Sequence, residues 1–282
     1  MPELLVLVAP PGATIQDAGR PGWLHAGVPP SGPLDATAHA AANLTVGNDA
    51  RAAALEVPLG PVRIAAAGEL MLSIDGERRV SLRDGAELFV PPCERAVRYV
   101  AVAGGFDVPL VLGSRATLAV AALGGFEGRA IRAGDRLPIG LARAAPAPTA
   151  TPTIGEPGDP AVLQVMPGPH LHRLSPGALE QLLATTWQIS PRSDRVGVRL
   201  EGAAIARRGD DRAPPVPMVR GAVQVTSDGT PIVLGPDHPV TGGYPVVAVV
   251  GRASQAMLAR LRAKRAVRFA LSEPPSTDRR SR

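Results

Sequence analysis

Short runs of Val, Ile and Leu recur along most of the chain: LLVLVA, VRIAAA, LMLSI, ELFV, RYVAVA, VLQVM, AVQVT, PIVL and VVAVV. Each is bounded by Gly, Pro or Asp-Gly, the pattern of strands in all-β barrels and sandwiches. Asp75-Gly76, Asp84-Gly85 and Asp228-Gly229 are expected to be hairpin turns, because both residue types tolerate positive φ. The opening MPELLVLVAPPG carries an apolar run of about seven residues, far short of a membrane span. It has no basic region before it and no small-residue cleavage site after it, so it predicts a first strand rather than a signal peptide.

Three segments break this period. A helix is expected from about Ala36 to Val46, with Asp35 as N-cap and Gly47 as its stop. A second opens at Ser175-Pro176, with serine capping and proline in the first turn, and continues through ALEQLLATT. SQAMLARLRA predicts a third, with Met257, Leu258 and Leu261 on one face. The Pro-, Ala- and Thr-rich stretch from about Ala144 to Pro160 has few residues suited to a hydrogen-bond ladder and reads as a semi-extended linker. The expected layout is a first barrel over 1–145, a linker over 146–160, a second barrel over 161–271, and a disordered polar tail over 272–282.

Composition changes this picture by exclusion. The chain has 282 residues, with 31 Gly, 31 Pro and 45% hydrophobic residues, which suits a turn-rich folded protein with a real core. One cysteine, Cys93, excludes an intrachain disulfide and a cysteine-based zinc cluster, and a cytoplasmic location is expected. The net charge is +5, but the arginines are dispersed and aromatics are scarce, so neither a nucleic-acid nor a membrane partner is expected. The single lysine, Lys264, stands in LRAKRAVRF. A Walker A loop, a kinase-type strand lysine, a pyridoxal Schiff base and a Ser-Ser-Lys amidase triad all need a lysine elsewhere. Any ATP chemistry in this chain must lean on arginines, backbone amides or another chain.

Candidate chemistry concentrates between Thr14 and Glu56. TIQDAGR brings Gln16, Asp17 and Arg20 into one turn-like segment, GVPPSGPLD adds Ser31 and Asp35, and Asn43, Asn48 and Glu56 follow. Polar side chains in Pro- and Gly-flanked loops hint at function. Asp35 also reads as an N-cap, Asn48 as a turn residue, and Asp17 with Arg20 as a local ion pair. In SDRVGVRL, Asp194, Arg195 and Arg199 offer forks for a carboxylate or phosphate, or else the solvent face of an exposed strand. Gln224, Asp237, Thr241 and Tyr244 surround the last of three Gly-Gly-aromatic triplets: Gly104-Gly105-Phe106, Gly124-Gly125-Phe126 and Gly242-Gly243-Tyr244. Glycine pairs serve either as tight corners or as bare backbone against which a ligand lies. His170 and His172 would share a face of a strand, but with no cysteine or matched carboxylate nearby no metal site is expected. There is no GxSxG elbow.

TIQDAGR, GVPPSGPLD, AAANLTVGN and AALE resemble the opening of the C-type subunits of bacterial 5-oxoprolinases, also described as allophanate hydrolase subunit 2 or biotin-dependent carboxyltransferase-like proteins. AVAGGFDVPLVLGSRATL, GGFEGRAIRAGD, PRSDRVGVRLEG, GAVQV with DGTPIVL, and TGGYP followed by VRF continue the resemblance in order to about Ala270. It implies a mainly β fold of two tandem cyclophilin-like barrels with a few short helices. It also implies one subunit of a hydrolase whose partners are a smaller B-type barrel subunit and an A-type subunit. That assembly uses ATP and Mg²⁺ to activate the lactam of 5-oxoproline for opening to glutamate. Catalytic positions carried over are Asp17, Arg20, Ser31, Asp35 and Glu56. Substrate- or nucleotide-binding positions carried over are Asn48, Arg115, Thr117, Asp194, Arg195, Thr241, Gly242, Gly243 and Tyr244. At Pro239-Val240 the chain departs from a QTT-like run usual in the family. One alternative is the carboxyltransferase part of a urea carboxylase-like enzyme, with biotin on a separate carrier. Another is a non-enzymatic binding partner of the B-type chain, as for family members described as antagonists of a kinase inhibitor. Little activity is expected of the chain alone.

Overall fold

A computed structural model describes residues 1–142, 152, 154–208 and 214–272 of the chain. The first half carries nine strands: β1 (Glu3–Val8), β2 (Thr14–Gln16), β3 (Ala54–Pro58), β4 (Val62–Ala67), β5 (Leu70–Ile74), β6 (Arg78–Leu82), β7 (Glu87–Val90), β8 (Val97–Val102) and β9 (Arg136–Pro138). They form a four-stranded sheet in the order β7-β4-β1-β9 and a five-stranded sheet in the order β2-β3-β8-β5-β6. Every pairing in both sheets is antiparallel. Alternating inward residues fill one core between them: Leu4 and Val6 from β1, Ile64 from β4, Leu72 from β5, and Val100 and Val102 from β8.

The second half carries β10 (Ala161–Pro167), β11 (Trp187–Ile189), β12 (Gly197–Glu201), β13 (Val216–Pro217), β14 (Ala222–Val225), β15 (Pro231–Leu234), β16 (Thr241–Gly242), β17 (Val246–Val250) and β18 (Ala266–Leu271). Seven of these close into a barrel in the order β10-β17-β14-β15-β12-β11-β18, while β13 and β16 pair outside it. The closing pair, β10 with β18, is parallel. Closure leaves the barrel no unpaired strand edge, and Trp187, Leu163, Val223 and Val267 lie fully buried inside.

The chain is mainly β, with three short helices among the described residues: α1 (Ala36–Thr45), α2 (Ala178–Ala184) and α3 (Arg252–Leu258). All nine apolar runs read from the sequence lie in strands. The first half differs in detail from the expected barrel, since its strands form two facing sheets rather than one closed ring. Helix α1 is capped by Asp35 as the sequence predicts, with Gly47 left-handed just beyond its end. Helix α2 begins later than expected. Its N-cap is Gly177 at φ 80°, and Ser175 contributes only its carbonyl, to the amide of Ala178. Helix α3 starts earlier and stops at Leu258, with Leu261 reaching the core from the turn that follows.

The turns Asp75-Gly76 and Asp228-Gly229 join paired strands, β5 to β6 and β14 to β15. Asp84-Gly85 does not form a hairpin, because β6 and β7 belong to different sheets. It carries the chain between sheets, tied by the Gly85 amide to the Ala66 carbonyl and by Asp84 Oδ1 to the Gly68 amide. Of the expected linker, 146–151 and 153 lie outside the described residues, as does 273–282 of the expected tail. The described end of the linker is held: Ile154 packs near α1 and Glu156 accepts from Arg95 at 3.0 Å.

Candidate functional site

The two halves meet along a seam of buried charge. Strand β3 alternates Leu55 and Val57 into the first core with Ala54 and Glu56 on the opposite face, under α1. Glu56 stands directly across from Tyr99 of β8, and the Tyr99 hydroxyl donates to Glu56 Oε2 at 2.7 Å. The same oxygen accepts from the Leu34 amide at 2.8 Å, and the Tyr99 oxygen accepts from the Asp35 amide at 2.9 Å. Burial, and then the charges of Glu56 and Asp35, push the Tyr99 phenol well above its ordinary range, so it stays a neutral donor.

Arginines from the second half complete the seam. Arg195 donates through Nη1 to Glu56 Oε1, through Nε to Asp237 Oδ2 at 2.7 Å, and through Nη2 to the Gly32 carbonyl at 2.7 Å. Burial pulls the Arg195 pKa down, but Glu56 and Asp237 outweigh it and the net shift is upward. Arg220 donates to the carbonyls of Pro33 and Leu34 at 3.1 and 2.6 Å. Arg260 holds Asp35 Oδ2 at 2.6 Å, while Asp35 Oδ1 caps α1 through the amides of Thr37 and Ala38. Both oxygens of Asp35 and of Glu56 are therefore committed to protein donors. The loop at 30–35 is clamped from both sides, and Ser31 within it is buried at φ 54° with its amide on the Pro236 carbonyl. Beside Glu56 and Arg195 the seam opens into a cavity of about 340 Å³, walled by apolar side chains of both halves.

A second cluster lies in the first half. Asp17 accepts from the Gly19 amide, the Ser114 hydroxyl and the Arg115 amide at 2.8, 2.5 and 2.6 Å. The expected Asp17–Arg20 ion pair is not what forms, because the backbone turn aims the two side chains at different partners. Arg20, 1% exposed, donates to the carbonyls of Val111 and Ala116. Its Nη1 has no hydrogen-bond partner, nor do Gln16 Oε1 and Ser31 Oγ. Burial lowers the Arg20 pKa against the opposing pull of Asp17 and Asp237. Thr117 ties this cluster to β2 through two bonds to the Ile15 carbonyl, and the Arg115 side chain turns away to Asp107 at 2.7 Å. Gly124 and Gly125 are needed here on two counts. Both have positive φ, and a Cβ on Gly124 would fall 2.2 Å from the Ala116 carbonyl oxygen and 2.6 Å from Arg20 Nη2.

The remaining predicted positions fall elsewhere. Asn48 joins the end of α1 to the first Gly-Gly corner, donating to the Val102 carbonyl at 2.8 Å and accepting from the Gly104 amide at 2.9 Å. Asp194 parts from Arg195: it is exposed, and its Oδ1 holds the turn amides of Val196 and Gly197. Arg195 itself lies at the seam rather than on an exposed strand face. Thr241, Gly242, Gly243 and Tyr244 form a third group at the β13–β16 ribbon. Gly242 is extended there, in contrast to the first two glycine corners, and a Cβ on it would meet the Gln224 amide nitrogen at 2.7 Å. Tyr244 is 39% exposed, with the Arg207 guanidinium over its ring. His170 and His172 sit at a 3₁₀ turn rather than on a strand, with ring centroids 6.3 Å apart.

Sequence reasoning missed Tyr99, Arg220 and Arg260 and left Asp237 out of the site. Tyr99 carried a usable signal, as one of only two tyrosines in the chain, set within an apolar strand. His39, one turn along α1 from Asp35, contacts the Gln16 carbonyl at 3.1 Å and stacks edge-on against Tyr99. Burial lowers its pKa.

Residues 26–271 match the family model described as the carboxyltransferase domain, subdomain A and B. The chain is 34% identical over 268 residues to the C subunit of the 5-oxoprolinase of Escherichia coli (strain K12), covering 88% of this chain and 84% of that one. It is 31% identical to the urea amidolyase of Lachancea kluyveri, covering 87% of this chain but 16% of the relative. The crystal structure of the Kluyveromyces lactis urea carboxylase superposes with a TM-score of 0.86 at 27% identity, over 96% of this chain and 27% of the carboxylase. This chain thus spans about a quarter of that solved structure. No described helix is long and apolar enough to cross a membrane. The order of its motifs, its closed barrel and these matches together establish that the chain belongs to the family of carboxyltransferase domains built from subdomains A and B.

Proposed function

We propose that this chain is the C-type subunit of an ATP-dependent 5-oxoprolinase, which activates the lactam of 5-oxoproline for hydrolysis to glutamate together with A- and B-type subunits. The observation that carries this reading is the near end-to-end match to the Escherichia coli protein, 88% of one chain on 84% of the other. The urea-handling relatives instead carry this fold as a small part of a much longer chain.

The seam carboxylates Asp35 and Glu56 leave no free oxygen for the Mg²⁺ of an ATP complex. Lys264, the single lysine, is exposed and paired with Glu201 at 2.7 Å. Among the described residues no three His, Cys, Asp or Glu side chains converge to hold a metal ion. Nucleotide chemistry in this reading is completed by the other subunits, and the chain by itself turns over little or nothing. Its own contribution is a pair of halves joined at the seam by Arg195, Arg220 and Arg260, which hold the loop at 30–35 in place.

Co-expression with A- and B-type subunits, followed by measurement of glutamate and ADP formed from 5-oxoproline, tests the reading. Stoichiometric ADP and glutamate from the complex, and neither from the chain alone, is the expected result; an assembled complex without turnover defeats it. A second reading is supported by the carboxyltransferase family match and the likeness to urea carboxylase. In it the chain helps move a carboxyl group from biotin borne on another chain to an amide nitrogen. Urea-dependent ATP consumption that requires a biotin carboxylase partner would favour that reading over the first.

A further inference from the structure

We propose that the outer edge of β6 is a docking surface for an extended acidic segment of a partner protein, which joins the five-stranded sheet as a further strand. The first half has four sheet edges, formed by β2, β6, β7 and β9. Two are covered: the Thr117 amide donates to the Ile15 carbonyl of β2, and the Asp107 amide to the Pro138 carbonyl of β9. Among the described residues, no backbone hydrogen bond reaches the outer edge of β6 or of β7. On β7 the charge of Glu87 is matched by Arg63 at 2.5 Å. On β6 it is not. Arg78 and Arg79 within the strand, and Arg83 just past its end, are exposed and have no acidic partner among the described residues. The acids on either side are engaged elsewhere, Glu77 with Arg95 at 2.5 Å and Asp84 with the Gly68 amide at 2.7 Å.

An edge strand turns the amide and carbonyl of alternate residues away from its neighbour, and a further strand can pair with them. The side chains of β6 alternate as well. Val80 and Leu82 pack on the first core, whereas Ser81 lies beside Met71 on the face that carries α1. Arg79 and Arg83 share the face of Ser81. A strand added at this edge therefore meets arginines on one face and apolar side chains on the other. Opposite charges and apolar groups both stabilise cross-strand pairs, so the matching segment alternates acidic and apolar residues. The same like-signed charges disfavour pairing with a second copy of this edge.

The end of the edge offers space for one further side chain. A cavity of about 490 Å³ opens beside Ser81 and Arg83, walled by Leu70, Met71, Ala103 and Leu141, the last 81% exposed. Glu69 also lines it and repels a carboxylate, so the side chain taken there is apolar. This surface is independent of the reaction proposed above and gives β6 no part in it.

The test uses the full-length chain and the peptide acetyl-Glu-Val-Glu-Val-Glu-Leu-amide, with binding read by calorimetry and by hydrogen exchange of backbone amides. The peptide is expected to bind saturably and to slow exchange at alternate amides of β6. An analogue with Lys in place of Glu, and another with every backbone nitrogen methylated, should each bind at least about tenfold more weakly. Arg79→Glu combined with Arg83→Glu alters only exposed, unpaired side chains and should leave the unfolding midpoint in place. That double variant should lose at least about tenfold in affinity for the acidic peptide and gain affinity for the lysine analogue. Equal binding of the methylated analogue would mean attraction by charge alone and would overturn strand addition. Absence of saturable binding, β6 amides left unprotected in the bound state, or unchanged binding in the double variant would each overturn the proposal. So would protection of β6 that grows with protein concentration in the absence of peptide, since the edge would then be pairing with itself.

Discussion

The seam around Arg195 and the pocket around Arg20 are both buried arginine sites, yet they are satisfied differently. At the seam, each guanidinium nitrogen of Arg195 meets an acceptor, two of them carboxylates from opposite halves. Around Arg20 the acceptors are carbonyls of a single half, and one nitrogen is left without any. The first arrangement locks two bodies together, because removing either charge strands the other in a low-dielectric setting. The second is held by backbone packing, with glycines at 124 and 125 letting the loops close over the arginine. Burial alone therefore does not say how an arginine is held; the kind and number of its partners do.

The largest expected effect comes from breaking the seam. Arg195→Ala strands Glu56 and Asp237, and should cost about 3–5 kcal/mol in a denaturant or thermal unfolding measurement. If the unfolding midpoint barely moves, the seam is not a brace between the halves. Arg20→Met removes a charge whose hydrogen bonds are all to neutral carbonyls and keeps most of the side-chain volume. It should cost less, about 1–2 kcal/mol, with the residual loss from the carbonyls of Val111 and Ala116. A cost equal to that of Arg195→Ala would erase the distinction between the two sites.

The smallest effect is a pH dependence near the seam. His39 is buried, with its native pKa held below the unfolded value of about 6.5. The unfolded state therefore binds the proton more readily. The contribution of His39 is complete above that pH and is lost as the pH falls below it, by no more than about 1.4 kcal/mol per pH unit for one proton. Unfolding midpoints between pH 7.5 and 5.5 should decline, and His39→Gln should flatten the decline. An unchanged slope in the variant would place the titrating group elsewhere.

The strands were legible because short runs of Val, Ile and Leu bounded by Gly, Pro or Asp-Gly favour an extended backbone locally. The cap at Asp35 was legible because it is a local bond. Helix α2 was misplaced because the serine-proline signal competes with Gly177, whose left-handed backbone starts the helix two residues later than the proline. The candidate site was half legible. Asp35, Glu56 and Arg195 were singled out by motif, but their grouping depends on contacts between residues separated by 139 and 225 positions. No local pattern encodes such a separation.

Taken alone, the sequence determined a β-rich chain, its family resemblance, and the exclusion of an intrachain disulfide, a cysteine-based zinc cluster and the lysine motifs of nucleotide and amidase sites, since these follow from strand-like runs, motif order and residue counts. Only the tertiary structure decided that Glu56 and Asp35 face arginines of the other half and that Asp194 and Arg195 part company. It alone decided that β6, with Arg79 and Arg83, lies at an open edge of its sheet. The reason is physical: a charge's role depends on which opposite charge or acceptor the fold brings within hydrogen-bond reach, and that is settled by packing rather than by neighbours in the chain.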